Sequence, residues 1–170
     1  MMRSSLLFVC LLAASTASGA LRSAVRIDPP NLHGSRPLEK ETQTAVLRDY
    51  LQSWNDFEEA VNQNNVQPLN QEFVGTALKK ITDTIQQQKK LGIHTRYQAT
   101  SHHIQIVFYS PDGLSIQLID HVAYHVELFD RNRMLAERSF HARYVVVLTP
   151  SAVRWVVRIF QATPAEPDIH

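Results

Sequence analysis

Asp120 and Tyr124 stand four residues apart in the run Ile116 to Phe129 (IQLIDHVAYHVELF), and Arg138 and Tyr144 follow in Ala136 to Leu148 (AERSFHARYVVVL). Side chains on a β-strand alternate between faces with a period of two. If the two runs form a hairpin with Val126 opposite Ala136, these four polar groups share a face with Ile116, Leu118, Val122, Phe140, Ala142 and Val146. A carboxylate on so apolar a face is costly unless it is paired or protonated. Asp120 therefore needs a hydrogen-bonded partner or a cavity. In a cavity it could act as a general base or ligand anchor, with Tyr124 or Tyr144 donating a hydrogen bond and Arg138 at the polar end.

The other face of the same hairpin carries His121, His125, Glu127, Glu137, Ser139, His141 and Arg143. The assumed pairing sets His121 near His141, and His103 from the preceding strand beside His121. Neighbouring strands lie about 4.8 Å apart, so His103, His121 and His141 form a row of imidazoles that could converge on a metal. His121 and His125 are roughly 13 Å apart along one strand and cannot chelate together. The plainer reading is a solvated polar sheet face, just as a hydrogen-bonded pair is the plainer reading of Asp120. No Gly-rich phosphate loop, G-x-S-x-G elbow or compact metal-ligand spacing occurs in the chain, and no cofactor is implied.

Elements of two kinds must position these groups. From Glu39 to Val61 the apolar residues Val46, Tyr50, Trp54, Phe57 and Val61 recur every three or four positions, with Leu47 and Leu51 widening the stripe. This predicts an amphipathic helix ending in the polar run Asn62 to Asn65. A second helix is predicted from an Asn70 cap to about Leu91, with Lys89 and Lys90 at the negative end of its dipole and Gly92 as its stop. After Gly92 the period changes to two. Strands are predicted around Ile104 to Phe108, Ile116 to Phe129, Ala136 to Leu148 and Val153 to Gln161, separated by the turns at Pro111, Arg131 and Pro150. The fold class that follows is α+β, with two N-terminal helices packed on a four-stranded antiparallel meander.

The chain of 170 residues has room for one ordinary domain, placed at 39–161. Arg3, the apolar run Leu6 to Ala14 and the small residues Ser15 to Ala20 have the layout of a secretory signal peptide over 1–20. Secretion or export to a periplasm is the expected localisation. Residues 21–38, with Pro29, Pro30, Gly34 and Pro37, are expected to be a flexible linker, and 162–170 a disordered tail. The single cysteine, Cys10, falls within the signal, so disulfides and thiol catalysis are excluded from a mature chain. Seventeen basic side chains against 16 acidic ones leave almost no net charge, which disfavours nucleic acid and anionic membrane surfaces as partners.

The helix with Leu47, Tyr50, Leu51 and Trp54, the segment Leu69 to Leu78 (LNQEFVGTAL) and the closing run Arg143 to Gln161 (RYVVVLTPSAVRWVVRIFQ) together resemble the nuclear transport factor 2-like superfamily, the cystatin-like α+β cone. The similarity covers roughly residues 40 to 161 and is nearest to the helix-then-meander variants, such as the intermembrane-space domain of plastid-division proteins. It implies helices packed into an antiparallel sheet. Many members of that superfamily are enzymes acting on small hydrophobic substrates with an acid and a tyrosine in the cone, whereas the helix-then-meander variants look like binding or scaffold domains. This chain departs from the enzyme pattern: no strand is evident between its helices, and Asp120 has no evident His or Asp partner inside the cone.

Three functions are therefore expected in order. The first is an exported, non-catalytic domain that engages a protein partner or a small apolar ligand through the cone mouth or the outer sheet face, where a homodimer could also form. The second is a small isomerase or hydratase with Asp120 as base, and the third a histidine-face metal binder.

Overall fold

The first long helix, α1 (Lys40–Gln63), forms where the apolar stripe predicts it. It buries Val46, Tyr50, Trp54 and Val61 against the sheet, and Leu51 and Phe57 pack at its margin. Glu41 lies in its first turn, where a negative charge favours the positive end of the helix dipole. Asn64 closes it in the left-handed conformation at φ 49°, ψ 40°, which asparagine tolerates better than most residues. The computed structural model describes residues 23–34 and 36–164. The expected signal peptide, Cys10 and the last six residues of the chain lie outside that range.

The second helix begins later than its sequence signals suggest. A 3₁₀ turn at Gln67–Gln71 comes first, and α2 runs from Gly75 to Leu91. Between them Phe73 is fully buried and forms a parallel bridge to Val157, with Val157 N–H donating to the Glu72 carbonyl at 2.7 Å and Val74 N–H to the Val157 carbonyl at 2.9 Å. A single bridge thus stands where a strand between the helices had seemed absent. Helix α2 buries Ala77, Ile81 and Ile85 and stops at Gly92, which takes φ 70°.

Among the described residues the sheet has five strands, not four: β1 (Ala24–Ile27), β2 (Ile93–Tyr109), β3 (Ile116–Asp130), β4 (Arg133–Pro150) and β5 (Trp155–Pro164), side by side in that order. Strands β2 to β5 form the expected antiparallel meander, and β1 adds to β2 in parallel. The segment expected to be a flexible linker is thereby corrected. Beyond β1, the backbone N–H groups of Asp28, Asn31 and His33 bond to the carbonyls of Ile104, Ile106 and Val107, and Leu32 and Leu38 pack on the core. Arg36 closes the segment by lying over the Tyr109 ring at 4.6 Å and donating to the Pro111 carbonyl. Docking of this kind runs through backbone groups and leaves no periodic apolar signature.

The β3–β4 register differs from the sequence expectation, and the β4–β5 pairing carries an irregularity of its own. The β3–β4 turn is a tight one at Arg131 and Asn132, and a bulge lies between Leu128 and Phe129, so Val126 pairs with Arg138 and Val122 with Ala142. The shift is two residues, an even number, so every side chain keeps its face. In the β4–β5 connection Ser151 to Arg154 form the loop, and a second irregularity leaves Arg158 unpaired. That odd step turns Ile159 outward, 39 % exposed, and brings Phe160 into the core in its place.

The two ends of the sheet are finished differently. Along the free side of β2, α1 supplies the missing partners. The Asn62 side chain accepts from Tyr97 N–H at 2.6 Å and donates to Tyr97 O at 3.1 Å, Glu58 accepts from Ala99 N–H at 2.5 Å, and Asn64 donates to Ile93 O at 2.9 Å. On β4, strand β5 pairs only from Ala142 onward, so among the described residues no strand pairs with 133–141 on the side away from β3. No helix among them is long and apolar enough to cross a membrane.

Burial lifts the Glu58 carboxyl above its usual range, partly offset by the Ala99 N–H and the nearby His102. A raised folded value means that wild-type stability is lost as pH rises from the unfolded value through the folded one, because the buried charge must then form. Glu58→Gln keeps the acceptor for Ala99 and removes the charge. Its stability relative to wild type should therefore increase between pH 4 and pH 7, as read by urea unfolding at both values.

Candidate functional site

Asp120 is completely buried beneath α1, on the middle of β3. One carboxylate oxygen, Oδ2, takes hydrogen bonds from the Tyr50 hydroxyl at 2.8 Å and from His102 Nδ1 at 2.7 Å; the other, Oδ1, accepts the backbone N–H of His103 at 3.0 Å. A carboxylate only accepts, so Nδ1 is the protonated nitrogen of the His102 ring. Burial first, then the adjacent Asp120 charge, hold the Tyr50 phenol well above its ordinary range, so it stays a neutral donor. Asp120 thus has a complete set of partners from one helix and one neighbouring strand.

His102 reaches the interior because of a backbone irregularity. In the first half of β2 the buried residues are Thr95, Tyr97 and Ala99, all odd-numbered; a bulge at Thr100 shifts the alternation, and His102, Ile104 and Ile106 are buried beyond it. The sequence held one signal for His102: it lies two residues before Ile104 and four before Ile106, on their face. Tyr50 lies on the apolar helix stripe, and nothing in its spacing marks a partner for the hydroxyl.

Aromatic rings surround the cluster. Trp54 packs edge-on against His102 at 4.9 Å, Tyr144 at 5.0 Å and Phe160 at 5.1 Å. Tyr97 stacks on Tyr124 at 4.6 Å, and Tyr124 on Phe140 at 5.5 Å. Asp120 and Tyr144 are opposed across β3 and β4, but the Tyr144 hydroxyl bonds to the Tyr97 hydroxyl at 3.2 Å. Burial pushes the Tyr144 phenol up to about 12 and raises Tyr97 and Tyr124 as well, so none of the three serves as a base near neutral pH. Arg138 is exposed on the projecting end of β4, opposite Val126, and is not brought to Asp120. Of the four residues grouped from the sequence, two are neighbours and none is the direct partner of Asp120.

Among the described residues, clefts of about 470 and 380 Å³ open on the surface. The larger is lined by Glu58, Asn62, Arg96, Tyr97, Gln98, His125 and Glu127, the smaller by Arg48, Asp49, Gln52, Val153 and Arg154; neither touches Asp120, Tyr50 or His102. The imidazole row is also rearranged. His103 does oppose His121, with ring centroids 6.2 Å apart, but His103 Nε2 bonds to Asp28 at 2.7 Å. The two-residue register shift puts Arg143 opposite His121 and moves His141 next to Ala123, so the three rings do not form one row.

The fold is similar to that of several solved structures, each at low sequence identity. The fold is similar to the intermembrane space region of the chloroplast protein ARC6, at 14 % identity and TM-score 0.62, over 76 % of this chain and 100 % of that one. It is also similar to the Kfla4162 protein of Kribbella flavida, at 10 % identity and TM-score 0.52 over 75 % and 93 % of the two chains. A protein of Novosphingobium aromaticivorans provisionally assigned as a scytalone dehydratase shares 11 % identity and a TM-score of 0.51 over 74 % and 89 %. No family model matches the chain, and no curated protein matches it in sequence. At these identities the similarity establishes the fold, which hosts more than one kind of function.

Proposed function

We propose that this is an exported, non-catalytic binding domain that takes an extended segment of a protein partner onto the edge of β4 by strand addition. The observation that carries the reading is the contrast between the sheet's two sides: side chains of α1 close the edge of β2, whereas no described strand pairs with 133–141 of β4 on the side away from β3. An unpaired strand edge is a template for another chain. Met134, Leu135 and Phe140, each 40–47 % exposed, add apolar contacts on both faces of that edge. Export rests on the layout of Arg3 and the apolar run Leu6 to Ala14.

Catalysis by Asp120 is the competing reading, and His102 strengthens it by supplying the imidazole partner that the sequence had seemed to lack. Access weighs against it: Asp120 is 0 % and His102 3 % exposed, and Trp54, Tyr97, Tyr144 and Phe160 fill the space beside them. A general base must come within hydrogen-bond reach of its substrate.

Selection of displayed peptides against the full chain tests the proposal. Bound peptides should protect the amides of 133–141 from hydrogen exchange. Met134→Lys combined with Phe140→Lys should weaken them at least tenfold while changing stability by about 0.5 kcal/mol or less, as expected of exposed sites. Binders that ignore these changes would overturn the reading. So would turnover of a hydrophobic epoxide or ketosteroid that disappears in both Asp120→Asn and His102→Gln. A second copy occupying the edge would appear as a concentration-dependent dimer lost in the same double variant.

A further inference from the structure

We propose that His125, Glu127 and Glu137 form a site for a divalent transition-metal ion on the outer face of the β3–β4 hairpin. One ligand atom from each of the three lies within 4.8 Å of the others. The set shares no residue with the His103, His121 and His141 row and stands on a different part of the sheet.

The backbone places these groups before any ion arrives. His125 and Glu127 are two residues apart on β3 and so share a face, and Glu137 is directly opposite Glu127 on β4. Both strands belong to a continuous antiparallel ladder, which sets the separation of the three Cα atoms. His125 Nε2 lies 3.2 Å from Glu137 Oε1. Two ligands on a tetrahedral ion with bonds of about 2.0 Å lie at about that distance, so the pair already has the spacing of one edge of a coordination shell.

Two further features fit a metal better than an ordinary polar surface. The first is the pairing of Glu127 with Glu137: like charges directly opposed across strands repel. The nearest guanidinium, that of Arg96, reaches only Glu127 and at 3.4 Å. The site therefore holds two carboxylates with less than full compensation, and a divalent cation would supply it. The second is the setting of the imidazole. His125 Nδ1 lies 3.3 Å from the Ser139 hydroxyl, leaving Nε2 directed at the carboxylate. A ligating histidine is commonly oriented in this way through its other ring nitrogen.

One nitrogen and two carboxylate oxygens suit zinc or manganese, and three protein ligands leave coordination positions open. His125 and Glu127 also line the 470 Å³ cleft, so those positions face a space large enough for a small anionic ligand beside Arg96.

Isothermal titration of the full chain with Zn²⁺ alone, and then with Mn²⁺ alone, tests the site. The expected result is one Zn²⁺ per chain, with affinity reduced at least tenfold in His125→Asn and in Glu137→Gln and unchanged in His121→Asn and His141→Asn. All four side chains are at least partly exposed, so folding is retained and circular dichroism confirms it. The proposal is overturned if neither ion binds, if binding survives His125→Asn and Glu137→Gln, or if it is the His121 and His141 variants that lose it.

Discussion

Asp120→Ala should lower the unfolding free energy by about 3–5 kcal/mol, because several buried donors lose their acceptor together, each at a cost of about 1–3 kcal/mol. The substitution strands three donors at once: the Tyr50 hydroxyl, His102 Nδ1 and the His103 backbone N–H. A buried donor that loses its acceptor costs about 1–3 kcal/mol, so the loss should exceed that of Tyr50→Phe, which removes one donor and leaves the carboxylate its other two. The two changes should be non-additive by at least about 0.5 kcal/mol when combined, because they act on one network. Urea denaturation of the single and double variants provides the measurement. If Asp120→Ala proved neutral, the network would not be the tie between α1, β2 and β3 that its geometry describes.

A loss of similar size, about 3–5 kcal/mol, is expected for Trp54→Ala, the usual cost of truncating a buried aromatic ring to a methyl group. Trp54 is 2 % exposed and touches rings from α1, β2, β4 and β5: Phe57, Tyr97, His102, Tyr144 and Phe160. Its removal would leave a cavity at the point where the helix layer meets three strands. Trp54→Phe should cost clearly less, because a phenyl ring refills much of the space and keeps many of the aromatic contacts. Equal losses for the alanine and phenylalanine variants in thermal or urea unfolding would show that the nitrogen, not the ring, makes the contribution.

These two residues were legible in the sequence to different depths. Trp54 lies on a stripe of period 3.6, and such a stripe reports burial directly, so its place in the core followed from spacing. Asp120 was recognised as an acid on an apolar strand face, and burial followed from parity alone. Parity also survived the error in the β3–β4 register, because a two-residue shift leaves faces unchanged. What parity could not supply was the partner. His102 is brought inside by the bulge at Thr100, and Tyr50 arrives from a helix 70 residues earlier in the chain. The same limit separates the predicted row of His103, His121 and His141 from the group His125, Glu127 and Glu137, since a cross-strand neighbour depends on the turn and bulge that set the pairing.

The sequence by itself determined the class of fold, the order of its two helices and its antiparallel strands, the position of the Gly92 stop and the apolar surroundings of Asp120. Each of these is written in local periodicity or in the conformational preference of a single residue. Tertiary structure alone decided that residues 24–27 add a fifth strand, that Asp120 is closed off by Tyr50 and His102, and that α1 guards one sheet edge while 133–141 of β4 has no described strand on its side away from β3. Those outcomes depend on backbone hydrogen bonds and on contacts between distant segments. Such groups are chemically alike at every residue, so their pairing is fixed only when the chain closes on itself.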